Sequence, residues 1–228
     1  PGVPVIGADT RGPLDVLRYA GFMGACIWAL MAPTVTPALL LPVVVLTAAL
    51  GVLDKTTFLA ARSEHFFTAL VCLTVLGASE PWVAACQCVW LGIWLWAGVS
   101  KLNHHFPSVI MVMMNNGPFF PRALKRRLFR SFPDDLRPSS FAVGMARMGT
   151  VTEMSIPLLL VLSPSPEVTF VALCVMTVFH GYIALNNPSG MPIEWNIAMV
   201  YGGWFLFGMR PEASLTALLA HPALLAFL

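Results

Sequence analysis

Few residues in this chain could do chemistry, and most stand at the edges of long apolar runs: Asp54 and Lys55, Glu64 and His65, Lys101, His180 and Glu194, with Arg147 and Glu153 inside a run. An ionisable side chain within a bilayer is costly, so each is by default a functional candidate in need of a partner. Lys101 follows Trp94, Leu95, Trp96, Ala97, Gly98 and Val99. A lysine held among apolar groups loses solvation of its charged form, which makes a neutral amine available as a base. The alternative is a lysine that marks a membrane boundary and snorkels to headgroups. His65 and His180 are open to three readings: packing histidines, metal or haem ligands, or acid and base groups. Neither has a second ligand at i+3 or i+4, so no metal is expected. Arg147 and Glu153 are six residues apart and do not face each other on one helix. Each is therefore expected to pair with another helix or to reach an end.

The elements that must position these residues are membrane helices. The 228 residues are 57% hydrophobic and only 11% charged, against about a quarter charged in a soluble domain. That is too little polar surface to coat a water-soluble globule. Apolar runs of near-spanning length cover about 14–32, 37–53, 65–79, 81–100, 141–162, 167–185 and 191–209, with a weaker eighth at 212–228. The expected fold is an all-α polytopic helical bundle of about seven transmembrane helices (six to eight) over 14–228, after an extramembrane segment at 1–13. That first segment has no basic region followed by an apolar one, so no cleavable signal peptide is expected. The absence of an initial Met suggests a piece of a longer chain.

Pro33 and Pro37, Glu80 and Pro81, and Pro164 and Pro166 break the pattern at three turns on one side. The alternating connections, around Asp54 to Glu64, Lys101 to Ser140 and Asn186 to Gly190, collect nearly every Lys and Arg, and the positive-inside rule makes them cytoplasmic. Within 101–140, Phe106 to Met114 is too short to span and reads as a re-entrant or interfacial helix. Arg122 to Arg137 follows, with Leu124, Leu128, Phe129 and Phe132 interleaved among its basic residues. It reads as an amphipathic surface helix against anionic headgroups, not as a nucleic-acid site, because both ends run into membrane segments. The five cysteines, Cys26, Cys72, Cys86, Cys88 and Cys174, lie in apolar runs and behave as small hydrophobes.

Three segments resemble, in order, the membrane domain of the vitamin K-dependent gamma-carboxylases and the wider bacterial family of horizontally transferred transmembrane (HTTM) domains. They are Leu53-Asp54-Lys55-Thr56 followed by Glu64-His65, then Ala97-Gly98-Val99-Ser100-Lys101-Leu102, then Phe179-His180 with Gly190-Met191-Pro192 ten residues on. The resemblance spans about 53–205. It implies that Lys101 is a catalytic base acting on a reduced quinone of the menaquinone or vitamin K type, His65 a group handling the substrate carbanion, and His180 a further active-site histidine. A bacterial inner membrane is the expected location.

On this reading His65, Lys101, His180 and Glu194 come to the same end of different helices and line one pocket for a hydrophobic quinone or lipid. Asp54 and Asn186 join Glu194 as candidate substrate-binding residues. Lys101 would serve as general base in quinol-coupled chemistry. The rival expectation is a non-catalytic lipid- or quinone-binding subunit, packed against a membrane-protein partner or a second copy of itself.

Overall fold

The computed structural model describes residues 12–60, 62–77, 81–163, 165–186 and 193–228. Prolines open four of its long helices. Helix α1 (Pro13–Met31), α2 (Pro37–Leu53), α5 (Pro81–Ser100) and α9 (Pro166–Asn186) each begin on one, where the missing N–H would have had no helical acceptor. The other helices are α3 (Lys55–Ala60), α4 (Ser63–Leu76), α6 (Phe106–Asn116), α7 (Arg122–Lys125), α8 (Ser140–Leu162), α10 (Ile193–Gly203) and α11 (Pro222–Phe227). A short antiparallel pair, β1 (Phe129–Ser131) and β2 (Asp135–Pro138), lies between α7 and α8, with Phe129 opposite Pro138 and Ser131 opposite Asp135.

The protein is thus an all-α membrane protein, and four helices, α1, α5, α8 and α9, are long and apolar enough to cross a bilayer. Seven were expected. The other three runs form the shorter helices α2, α4 and α10, and local geometry ends two of them early. The 65–79 run stops at Leu76, where Gly77 takes a φ of 61° that glycine alone adopts freely. Arg62, at φ 50°, separates α3 from α4. Helix α10 has 11 residues and continues as a wider π-helical turn over Trp204–Gly208. The eighth run is no span at all. It divides into a 3-10 turn at Leu215–Ala220 and the six-residue α11, broken at Pro222, which cannot donate to a helix.

The chain forms two compact units, residues 1–89 with 213–228, and residues 90–212. In the first, Ala25, Ala29 and Val43 pack with Phe22, Cys26, Leu46 and Leu70, so the small side chains of Ala25, Cys26 and Ala29 on α1 meet larger ones of α2 and α4. That suits helices in lipid, where close approach and not water expulsion drives association. In the second, α10 presents Gly202 and Gly203 to its neighbours. A Cβ on Gly202 would fall 2.2 Å from the Trp90 ring, and one on Gly203 2.7 Å from the Met176 methyl group. Trp90 also donates its indole N–H to the Met199 carbonyl at 3.3 Å.

Still in the second unit, α6 is a helix as expected, and it packs on α8 through Met111, Met114, Phe120, Leu128 and Ala142. The basic stretch after it is not one amphipathic helix. It is one turn of α7, a 3-10 turn at Arg126–Leu128 and the β1–β2 hairpin. Leu128 is the reason: it is fully buried, so the chain dives to the core and returns to the surface instead of lying flat. Ser139 then closes the module, donating its hydroxyl to the Arg127 carbonyl at 2.6 Å and capping α8 at the Ala142 N–H.

Candidate functional site

In the second unit, the end of α5 carries the chemistry. Lys101 sits one residue past α5, its N–H still bonded to the Gly98 carbonyl at 3.0 Å. Its ammonium forms an ion pair with the Glu153 carboxylate of α8. Glu153 is only 5% exposed and Lys101 24%. Glu153 lies about 20 Å along α8 from its first residue, counting 1.5 Å per residue, which puts an acid deep within a membrane helix.

Two sequence features make the pair possible. Gly98 lets α5 approach α8, since a Cβ there would fall 2.5 Å from Met154 Cγ and 3.5 Å from the Glu153 Cβ. Pro157, inside α8 and four residues after Glu153, has no N–H to give, so the Glu153 carbonyl is released from the helical ladder. A carboxylate and a freed carbonyl therefore belong to the same residue. The turn beyond Lys101 is also built. Asn103 Oδ1 accepts from the His105 and Phe106 N–H groups at 2.8 and 3.0 Å, and its amide donates to the Ser100 carbonyl at 2.8 Å. This starts α6 so that the Phe106 ring centroid lies 5.6 Å from the Lys101 ammonium, within cation–π range.

His180 of α9 is 3% exposed and spends both ring nitrogens. The Trp94 indole N–H donates to Nε2 at 2.9 Å, and Nδ1 lies 2.9 Å from Asn196 Oδ1. An indole N–H can only donate, so Nε2 must be unprotonated, and the proton sits on Nδ1, donated to Asn196. The geometry therefore selects one neutral tautomer. His180 lies within electrostatic reach of Lys101, but it has no nitrogen left for a substrate or a metal. Among the described residues, no group of three His, Cys, Asp or Glu could hold a metal ion.

The remaining expected residues fall as follows. Asn186 is buried at the end of α9, its amide bonded to the Tyr182 carbonyl at 2.9 Å while its Oδ1 has no partner. It packs against Gly117, where a Cβ would fall 2.9 Å from that oxygen. Glu194 is exposed on the first turn of α10. Asp54 and His65 belong to the first unit. Asp54 accepts from the Tyr19 hydroxyl and from the Thr57 N–H, tying α1 to the junction of α2 and α3. His65 Nε2 lies 3.6 Å from Glu64 Oε1 on the first turn of α4. Gly190, Met191 and Pro192 lie outside the described residues.

Sequence reasoning missed Trp94 and Asn196, and it expected Glu153 to pair with another helix or reach an end without naming Lys101 as the partner. A signal was available: Glu153 is the acid farthest from any break in an apolar run, and such a group calls for a cation on another helix. Trp94 carried none, since tryptophan is common in membrane helices without a shared site, whereas an asparagine such as Asn196 in an apolar run calls for a hydrogen-bond partner on another helix.

The fold and the pair define an integral membrane protein of packed α-helices with a Lys–Glu ion pair whose carboxylate is buried. The chain matches, over residues 1–228, the family described as transmembrane protein of unknown function (DUF3556), and it belongs to that family. No curated protein and no solved structure is similar to it. The family match overturns the resemblance to the HTTM domains and the vitamin K-dependent carboxylases. Short segments such as Ala97 to Leu102 describe the end of an apolar helix, and that pattern recurs wherever a lysine closes a span.

Proposed function

We propose that this protein is a membrane-embedded binding protein for a hydrophobic molecule with a polar head, of the quinone or lipid type, which engages Lys101. The observation that carries the reading is the buried Lys101–Glu153 pair. An ion pair out of water returns little stability compared with apolar side chains of the same volume, so its presence in a span argues for use. The pair is asymmetric. Lys101, at the helix end, can turn from Glu153 toward a ligand's oxygen atoms, while Glu153 stays buried as its counter-ion.

Binding is favoured over catalysis because His180, the nearest candidate acid or base, is committed to Trp94 and Asn196. An apolar cleft of about 390 Å³ between α8 and α9, lined in part by Val151, Ile156, Leu159, Val171 and Val175, offers room for a prenyl or acyl tail. In this reading α2, α4 and α10 with its π turn also cross the bilayer. That gives seven crossings and puts the basic 101–139 connection on the cytoplasmic side of a bacterial inner membrane, in keeping with its charge.

The test is organic extraction and mass spectrometry of protein purified in nanodiscs, with titration of menaquinone and of phospholipid against Trp fluorescence. Wild type is expected to retain one such molecule and Lys101→Gln to lose it. Equal retention by both removes Lys101 from the site. Consumption of reduced quinone by wild type but not by Lys101→Met replaces the binding reading with a catalytic one, and a wild type that holds neither ligand ends it.

A further inference from the structure

The net charge of the chain is +2, yet Arg122, Lys125, Arg126, Arg127, Arg130 and Arg137 with Asp134 and Asp135 contribute +4 within 16 residues, leaving the rest of the chain at −2. Two of the six cations are spent locally. Lys125 donates to the Asn115 and Gly117 carbonyls at 2.8 and 3.0 Å, closing the end of α6, and Arg137 holds Asp135 in a two-pronged pair. Arg122, Arg126, Arg127 and Arg130 are exposed, with no carboxylate within ion-pair distance among the described residues. The same module exposes large apolar side chains, Phe119, Phe132 and Leu136.

This surface is held in place. Leu128 anchors it in the core formed with Met111, Met114 and Ala142, Phe129 and Phe132 rings meet at 5.5 Å, and Ser139 ties the 3-10 turn to the start of α8. Because α8 is a membrane-crossing candidate that begins at Ser140, the hairpin ends within two residues of a span. Arginines so placed meet the phosphate layer before any soluble partner, and guanidinium groups suit phosphate oxygens by their fork geometry. Exposed phenylalanines beside them fit the boundary between headgroups and acyl chains.

We infer that the 119–139 module is a binding surface for anionic glycerophospholipid, with Arg126, Arg127 and Arg130 taking the phosphates and Phe119, Phe132 and Leu136 entering the bilayer beside them. It does not depend on the Lys101 site. The test uses full-length protein in micelles, with phosphatidylglycerol and phosphatidylcholine titrated in turn and retained lipid read by native mass spectrometry. Wild type should prefer phosphatidylglycerol. Arg126→Gln/Arg127→Gln/Arg130→Gln should weaken that lipid by on the order of 100-fold, at roughly fivefold per arginine near a charged surface, while Arg210→Gln leaves it unchanged. A second measurement needs no variant: added salt should weaken retention of phosphatidylglycerol by wild type and spare phosphatidylcholine. Equal affinity of wild type and triple variant, or salt-independent selectivity, overturns the inference. So does displacement of the lipid by a short RNA at lower concentration, which assigns the surface to nucleic acid, or by glycerol phosphate alone, which assigns it to free phosphate.

Discussion

Replacing Lys101 with Met strands the Glu153 carboxylate among apolar side chains, and the size of the penalty can be worked out. Removing one partner of a buried pair costs about 3–5 kcal/mol. The stranded acid has a way out, because taking up a proton removes its charge. Neutralising a carboxyl of ordinary value about 4.3 costs about 3.7 kcal/mol at pH 7 and about 1 kcal/mol at pH 5, at 1.36 kcal/mol per pH unit. The penalty should therefore sit near 3–4 kcal/mol at neutral pH and shrink as the solution is acidified. Glu153→Gln should cost less, about 1–2 kcal/mol, since Lys101 is 24% exposed and keeps the Phe106 ring within cation–π range. Lys101→Met/Glu153→Leu, which removes both charges, should be close to neutral or stabilising. Equilibrium unfolding in mixed detergent micelles, followed by Trp fluorescence across a pH series, measures all three. If Lys101→Met is no worse than the double replacement, or its penalty does not change with pH, the pair is not buried as described and the reasoning fails.

Three further outcomes are expected. Gly202→Ala drives a methyl group into the Trp90 ring and Gly98→Ala one into Met154; each should cost about 1–3 kcal/mol in the same assay, and Gly98→Ala should also loosen ligand retention by parting α5 from α8. His180→Phe keeps an aromatic ring, though a larger one, and leaves the Trp94 N–H and the Asn196 amide oxygen without their partner, for a loss of about 1–3 kcal/mol per orphaned group; an unaltered unfolding midpoint would mean that these bonds are not made. Hydrogen bonds from Arg137 hold Asp135 at about 2, below its ordinary 3.8. A depressed folded value gives stability that is full above 3.8 and lost as pH falls toward 2, so pepsin cleavage in the β1–β2 hairpin should rise over that window, and Asp135→Asn should show the faster cleavage at pH 4 already.

The membrane character was legible from composition, because long apolar runs with few charges have no soluble solution. Helix starts were legible too, since Pro13, Pro37, Pro81 and Pro166 mark them by chemistry that is local to the residue. The helix count was less so. Gly77, Arg62 and Pro222 end helices through backbone angles and a missing donor, which a run of hydropathy values does not register. For the basic segment, periodicity favoured a helix, and the burial of Leu128 outweighed it.

Sequence alone determined which residues could be costly in a bilayer, Lys101, Glu153 and His180 among them, because the charge or polarity of a side chain and the length of its apolar surroundings are written in the chain. Only the tertiary structure decided what those residues do to one another. Lys101 and Glu153 are 52 positions apart and meet because Gly98 brings two helices together. His180 turned from a candidate acid or base into a fixed neutral link because Trp94 and Asn196 arrive from other helices. Pairing in a membrane interior is a matter of which helix faces touch, and that depends on packing between helices, not on the order of residues along any one of them.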